Sequence, residues 1–287
     1  MDIRLIACPY DLGHRDAGMG AGPKAFLERS AEQVLRDAGH GVSVVTVEAP
    51  DAQSNEIGAA FEINALLAAE VRHAFGSGVF PIVLAGNCNH CLGAVSGVGL
   101  AELGAVWFDA HGDFNSPDTS RSGFFDGMAL HVATGNSWRA AAGTIPGFRP
   151  LSERNVALAG VRDLDEAERA ALDASSIVLV EEPALLDAGI EAGLAPALDA
   201  VSSRMRDIYV HVDLDVLDPA IAPINGYQPP GGLDVSQLVA ALEMVGQRFQ
   251  VRAAALASYD PAFDPDGKGL EAGLEVLKAF GDIGWGP

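Results

Sequence analysis

The chain has 287 residues, 49% of them hydrophobic, and a formal net charge of -21. A chain of this length buries roughly three quarters of its unfolded surface, which is enough for one large core. We expect a single domain over residues 1–287, although two domains of about 140 residues also fit the length. The strongly negative charge argues against a nucleic-acid partner, because phosphate binding requires basic patches.

The N-terminal residues 1–8 contain neither the charged region nor the long apolar stretch of a secretion signal. No uninterrupted apolar run reaches the roughly 18 residues that span a membrane. The three cysteines, Cys8, Cys88 and Cys91, form an odd set, which argues against a disulfide framework. We therefore expect a cytoplasmic protein with no membrane partner.

Short apolar runs alternate along the chain with segments of helical periodicity. This alternation is typical of an α/β fold in which helices cover both faces of a mostly parallel sheet. The apolar runs predict eight strands, at about 2–8, 42–47, 80–85, 105–109, 155–160, 176–180, 207–213 and 252–258. The periodic segments predict helices near 24–38, 56–76, 164–174, 190–204, 235–247 and 269–280.

Two acidic clusters follow apolar runs that read as buried strands. The first cluster contains Asp109, His111 and Asp113, and the second contains His211, Asp213 and Asp215. In each cluster the three residues occupy alternate positions. Alternate residues of a strand share one face, so each cluster directs its polar side chains to one side. An acidic loop that caps a helix would also explain the first cluster, and a packed core histidine would explain His211.

Carboxylates held this close repel one another, and a divalent cation is the usual remedy. The ligands are mostly oxygen with one imidazole, which suits Mn²⁺ or a similar ion better than structural Zn²⁺. Ligands bind beyond the carboxyl ends of strands in parallel sheets, and both clusters fall there. The sequence therefore predicts a site for two divalent ions.

The glycine-rich stretch 13–22 follows the first strand and precedes a helix, which is where phosphate loops occur. It lacks the Lys-Ser/Thr ending of such a loop, and Gly18, Gly20 and Gly22 miss the dinucleotide spacing. We do not expect nucleotide binding.

The two clusters together resemble the ureohydrolases, the family of arginase, agmatinase and formiminoglutamase. The resemblance rests on a DxHxD segment at 109–113 and a strand ending in DxDxxDP at 213–219. Residues 18–23 and 231–233 are similar to further glycine-containing motifs of the family. The resemblance implies a three-layer αβα fold with an eight-stranded sheet, and assembly into homotrimers or hexamers.

The resemblance also implies two Mn²⁺ ions that activate water against a guanidinium or related amidine carbon. Asp109 and Asp213 would bridge the ions. Asp113, also a candidate catalytic residue, would complete the shell of one ion, and His111 with Asp215 that of the other.

The chain departs from the family pattern at the remaining metal ligand. Cys88 stands at the position of a family histidine, and a thiolate there would admit softer ions such as Zn²⁺, Fe²⁺ or Ni²⁺. His90 would replace it only with a shift of the loop. Alternatively, Cys88 is a small buried apolar residue and the first ion binds poorly.

Two further departures concern catalysis and recognition. Asp126 stands where the family often has a proton-shuttling histidine, and a carboxyl can do this work if its pKa is raised. Ser258 stands where arginases have a glutamate that pairs with the guanidinium. Loss of that carboxylate favours a less basic group, such as a formimino, hydroxyguanidino or modified amidine group.

At the other end of the substrate, the pattern is like that of an arginase. Asp165 matches an acid that contacts the substrate α-amino group, and Asn115 and Ser122 match positions that hold the α-carboxylate. All three would serve equally well as helix caps or turn residues.

The sequence thus predicts a binuclear metal hydrolase that cleaves a C–N bond of a guanidino, amidino or formimino compound. Its small-molecule substrate is expected to be an α-amino acid derivative. A catalytically impaired subunit or ligand-binding protein is the alternative, motivated by Cys88, Asp126 and Ser258. A single-metal hydrolase of the histone-deacetylase type is a minor alternative, which the pairing of Asp213 with Asp215 opposes.

Overall fold

The computed structural model describes residues 1–49 and 55–284. Its strands are β1 (Asp2–Cys8), β2 (Tyr10–Asp11), β3 (His14–Arg15), β4 (Gly41–Thr46), β5 (Phe80–Ala85), β6 (Gly104–Phe108), β7 (Val156–Val161), β8 (Val178–Glu181), β9 (Asp207–Asp213) and β10 (Gln250–Ala257). Eight strands form one parallel sheet in the order β4-β1-β5-β10-β9-β6-β7-β8, and β2 pairs with β3 in a hairpin. All eight predicted strands are present, and the predicted αβα fold class is confirmed.

The α-helices are α1 (Gly22–Glu28), α2 (Ala31–Asp37), α3 (Glu56–Gly76), α4 (Cys91–Val98), α5 (Ala129–Ala133), α6 (Arg139–Ala142), α7 (Glu166–Ala174), α8 (Glu182–Ala188), α9 (Ile190–Ser202), α10 (Val235–Arg248) and α11 (Lys268–Ile283). The predicted helix at 24–38 is two helices, because Ser30 adopts a left-handed conformation with φ 63°. The sequence did not predict α4, whose eight residues are all buried. A helix without a polar face has no amphipathic period to detect.

The alternation of side chains along the strands builds a core on each face of the sheet. Val210 and Val212 of β9 enter one apolar cluster, whereas Tyr209 enters the other. Helices α1, α2 and α9 to α11 contribute to the first core, and α3 to α5 contribute to the second. Burial on both faces explains why the strands read as continuous apolar runs. No helix in the described part of the chain is long and apolar enough to cross a bilayer.

Candidate metal centre

Four neighbouring strands at the centre of the sheet end at one site. They lie in the order β5-β10-β9-β6. Cys88 follows β5, Ser258 follows β10, Asp213 ends β9, and Asp109 follows β6. Because the strands are parallel, their carboxyl ends meet at one edge, where ligands of such sheets bind.

Two groups of candidate metal ligands overlap at this edge. Cys88, Asp109 and Asp213 form one group, and Asp109, His111 and Asp215 form the other. Within each group the ligand atoms lie within 4.8 Å of one another. Asp109 belongs to both groups, so ions bound at both groups would share it as a ligand.

Local turns, rather than continued strands, direct these side chains. Strand β6 ends at Phe108, and the amide of His111 donates to Asp109 Oδ1 at 2.7 Å. In the same way, Asp215 lies in a 3₁₀ turn after β9, and its amide donates to Asp213 Oδ1 at 2.8 Å. The predicted common strand face was therefore wrong for His111 and Asp215, because an Asp side chain that binds the backbone two residues on forms a turn.

The imidazole of His111 faces the shared carboxylates. Its Nδ1 lies 3.1 Å from Asp215 Oδ2 and 3.5 Å from Asp109 Oδ1. Asp215 Oδ1 also accepts from the amide of Ala110 at 3.2 Å, which joins the two strand ends.

The buried carboxylates are unfavourable without a counter-charge. Burial and neighbouring carboxylates raise the pKa of Asp113 and Asp213 well above the ordinary value, and the pKa of Asp109 is raised as well. Asp113 has φ 48°, and its Oδ2 is buried without a hydrogen-bond partner in the described residues. A cluster of this kind fits divalent cations, which are the usual remedy for close carboxylates. Asp113 borders the two ligand groups but belongs to neither.

The loop after β5 presents Cys88 rather than His90 to the site. Cys88 Sγ lies 2.9 Å from Asp213 Oδ2 and 3.3 Å from Ser258 Oγ. His90 instead accepts from the amide of Asn87 through Nδ1, at 3.3 Å, and closes a capping box. The loop therefore requires no shift to bring a soft sulfur donor to the cluster.

Asp126 is buried and held by amide groups beside the cluster. The Asn89 amide and side chain donate to Oδ1 at 2.8 and 3.0 Å, and the Asn87 side chain donates to Oδ2 at 3.1 Å. Burial raises the pKa of Asp126 to about 7, although the amide donors oppose the rise. A carboxyl with this pKa can exchange a proton near neutral pH.

These groups open into a pocket of about 210 Å³. Asn115, Asp165 and Ser258 line it, whereas Ser122 is exposed and does not. The hydroxyl of Ser122 accepts from the amide of Phe124 at 3.1 Å, as in a turn. Asp165 occupies the N-cap position of α7 but makes no side-chain capping bond. The other lining residues are Met19, Cys88, His111, Asp113, Phe124, Asp126, Gly127, Asp163, Glu168, Asp213, Asp215, Asn225 and Tyr227.

Several contributors to the pocket went unrecognised in the sequence. Burial raises the pKa of Glu168 to about 7, and its Oε1 accepts from the amide of Phe114 at 2.8 Å. Glu168 follows Asp165 by three residues, so helical spacing was the signal available for it. Asn225 and Tyr227 lie in a loop between β9 and α10, and nothing in the sequence linked that loop to the site.

Arg162 joins the two ligand-bearing segments. Its amide donates to the carbonyl of Ala110 at 2.8 Å, beside Asp109 and His111. Its guanidinium donates to the carbonyls of Asp215 and Val216 at 2.8 and 3.1 Å. No sequence pattern indicates this role, because the acceptors are backbone atoms.

His211 belongs to a buried layer behind the metal cluster. It is fully buried, its Nδ1 lies 2.7 Å from the Tyr209 hydroxyl, and its ring stacks on Trp107 at 3.7 Å. The indole of Trp107 donates to Asp109 Oδ2 at 2.9 Å. His211 thus contacts the residue that orients the shared ligand, and it is in neither ligand group.

The glycine-rich segment packs closely on the site. A Cβ on Gly20 would overlap the backbone of Tyr10 and Asp11, and a Cβ on Gly86 would overlap the Tyr10 carbonyl. These glycines permit close approach of the backbone segments, and Met19, which directly precedes Gly20, lines the pocket.

The fold and site together define a parallel αβα protein with a carboxylate-rich metal pocket at the sheet's carboxyl edge. The sequence model of the arginase family matches residues 1–280. The arginase of Bacillus caldovelox is 30% identical over 98% of this chain and 98% of its own. The crystal structure of arginase from Bacillus cereus superposes with TM-score 0.88 and 25% identity, covering 99% and 98% of the two chains.

The chain therefore belongs to the arginase family, as the resemblance implied. It is a metal-dependent amidine C–N hydrolase of the ureohydrolase type. Proclavaminate amidino hydrolase from Streptomyces clavuligerus shares the fold, with TM-score 0.71 and 20% identity over 98% and 92% of the two chains.

Proposed function

We propose that this protein hydrolyses the amidine-type C–N bond of an α-amino acid derivative whose tail is less basic than a plain guanidinium. The proposal rests on one observation above all. Two overlapping ligand groups share the buried Asp109, and their other four members line the same pocket as Ser258 and Asp165.

Six side chains are proposed to hold the two divalent ions. They are Cys88, Asp109, His111, Asp113, Asp213 and Asp215, and Mn²⁺ is the first ion to test because oxygen donors dominate. When bound, such ions polarise the substrate and supply a water-derived nucleophile at neutral pH. The buried, unpartnered Oδ2 of Asp113 supports its inclusion among the ligands.

Asp126 is proposed to carry the proton. Water adds to the amidine carbon, the bond from that carbon to the tail nitrogen breaks, and the leaving nitrogen needs a proton. The pKa of Asp126 is raised to about 7, so its carboxyl can take a proton from water and then return it to the leaving nitrogen. The Asn87 and Asn89 amides hold the carboxyl in one orientation.

The two ends of the pocket support the substrate class. Asp163, Asp165 and Glu168 form an acidic patch suited to an ammonium group, and Asn115 supplies an amide suited to a carboxylate. Near the metal cluster, Ser258 offers a neutral hydroxyl, which does not neutralise a guanidinium cation.

The test is metal content followed by a substrate panel. Protein is produced with Mn²⁺ and purified without chelators, and metal per chain is measured by elemental mass spectrometry. The panel contains L-arginine, an N-hydroxyguanidino amino acid and a formimino amino acid. We expect two ions per chain and faster turnover of the less basic tails. Two ions per chain without turnover of any substrate in the panel would contradict the proposal.

The Cys88 thiol favours a second candidate, a catalytically impaired subunit or ligand-binding protein. Burial, then the charge of Asp213, raises the pKa of this thiol well above its ordinary value, which opposes the thiolate that an ion requires. This candidate predicts less than one ion per chain. Cys88→His separates the two, because restored metal content with new turnover would identify the thiol as the impairment.

We also propose a cytoplasmic location, a single domain over residues 1–287 and a homotrimeric or hexameric assembly. Size-exclusion chromatography with light scattering tests the assembly.

A further inference from the structure

Two aromatic rings from different loops meet at the pocket. Phe124 precedes α5, and Tyr227 lies between β9 and α10. Their ring centroids are 5.3 Å apart and the planes are inclined by 22°, which is a stacked pair. Both rings line the pocket, although Tyr227 is 57% exposed. Together they form an aromatic wall, the name used below for this pair.

A buried asparagine fixes the aromatic wall relative to Ser258. The side-chain amide of Asn225 donates to the Ser258 carbonyl at 2.8 Å. Its Oδ1 accepts from the Tyr227 amide at 2.9 Å. Because Asn225 is only 7% exposed, its two hydrogen bonds are shielded from water and hold Tyr227 and Ser258 in a fixed relative position.

The hydroxyl of Tyr227 stays neutral beside the proton-transfer carboxyl. Burial, then the charges of Asp11 and Asp126, raises the pKa of the phenol. The ring therefore presents a neutral face and a neutral hydroxyl to the pocket that Asp126 also lines. Ser258, which Asn225 links to it, is also neutral.

We propose that the aromatic wall of Phe124 and Tyr227 determines specificity by stacking on the planar amidine end of the substrate, in place of charge pairing. The inference rests on the proposed function. An aromatic face attracts any delocalised planar group by dispersion, and the attraction does not require a full positive charge. The ligand class is a planar, substituted amidine of reduced basicity.

The neutral hydroxyl of Ser258, which Asn225 links to the wall, decides between the two modes of recognition. A guanidinium cation also binds an aromatic face, but without a carboxylate at position 258 it lacks the stronger, bidentate partner. Stacking on the wall therefore reduces the difference in affinity between a guanidinium cation and a less basic tail.

Binding and turnover are measured separately on the Mn²⁺-loaded protein. Calorimetric affinity and KM with kcat are determined for L-arginine, N-hydroxy-L-arginine and Nδ-formimino-L-ornithine, all of which keep a free α-amino head group and an amidine-type tail. Phe124→Ala and Tyr227→Ala are expected to weaken binding and raise KM by about tenfold each for the less basic ligands, with kcat changed less. Tyr227→Phe keeps the stacking face, so it should retain most of the affinity.

A variant with an added carboxylate tests whether stacking takes the place of charge pairing. Ser258 has φ 69°, and Asp tolerates this region better than other acidic residues. In the Tyr227→Ala background, Ser258→Asp should restore affinity for L-arginine and leave the less basic ligands weak. An equal gain in affinity for L-arginine and for the less basic ligands would contradict the inference.

Phe263→Ala is the matched control. Phe263 is 50% exposed, packs beside Gly226 in the same region, and does not line the pocket. If it raises KM as much as Tyr227→Ala, loosening of the loop explains both effects and the inference fails. Binding without turnover would refute the proposed function alone, whereas unchanged affinity in Tyr227→Ala and Phe124→Ala would refute the wall alone. Absence of binding by all three ligands would overturn both.

Discussion

The floor of the pocket and its wall follow different rules. At the floor, Asp109, Asp213 and Asp215 are all buried and each accepts a backbone amide. At the wall, Phe124 and Tyr227 lie on loops and are partly exposed. The acidic segments of the floor resemble the arginase family, whereas Cys88 at the floor and Ser258, which Asn225 links to the wall, depart from that pattern. Backbone amides hold the buried floor in place, whereas the wall consists of side chains on partly exposed loops.

The largest effect should come from the shared ligand of the floor. Asp109→Asn removes a charge from both ligand groups at once. We expect metal affinity to fall by more than about a hundredfold, beyond the 10–100-fold typical of residues that only support a ligand, and activity to be lost. Calorimetric titration with Mn²⁺ measures the affinity. Asp118→Asn is the control, since Asp118 is exposed on the same loop. Two ions bound per chain of the Asp109→Asn variant would contradict the role of Asp109 as a shared ligand.

The second effect separates proton transfer from metal binding. Asp126→Asn should lower kcat by about 10²–10⁴-fold, with metal content unchanged. Because Asp126 takes a proton from water before it returns one, its carboxyl must start deprotonated, so wild-type kcat should fall below about pH 7. That acidic limb should vanish in Asp126→Asn, and Asp126→His should recover part of kcat. Loss of metal in Asp126→Asn would show that the residue supports the floor instead.

The third effect concerns the layer behind the floor. Trp107→Phe removes the indole donor to Asp109 Oδ2 and should weaken metal binding by about 10–100-fold. Trp138→Phe is matched in chemistry, because the Trp138 indole nitrogen has no hydrogen-bond partner in the described residues. Equal metal affinity in the two variants would show that the indole bond does not orient Asp109.

The smallest effects compare two predicted substrate contacts on one loop. Asn115 is buried and lines the pocket, so Asn115→Ala should raise KM by about tenfold, as expected for a hydrogen bond to a charged group. Ser122 is exposed, so Ser122→Ala should change KM by less than about twofold. A larger effect at Ser122 would mean that its turn rearranges when substrate binds.

The sequence predicted the sheet well because its central strands are buried on both faces. All eight strands appear within a few residues of the predicted bounds. The errors were local. Ser30 breaks a predicted helix by adopting φ 63°, and α4 has no polar face that would reveal its period. Both depend on packing that a short window of sequence does not contain.

For the site, the sequence by itself supplied the acidic clusters, Cys88, Asp126 and Ser258, because their spacing and residue types carry the chemistry. Tertiary structure decided which atoms meet. It turned Cys88 toward Asp213 and His90 toward Asn87, since the 3₁₀ turn after β5 sets their directions.

Only the fold brought together residues that are far apart in the chain. Asn225 joins Tyr227 to Ser258, and Arg162 joins the two ligand segments through backbone carbonyls. The order β5-β10-β9-β6-β7 creates these contacts, because strands distant in sequence become neighbours in the sheet. Local pattern determines which strands form and which acids end them, whereas the pairing of strands determines what surrounds those acids.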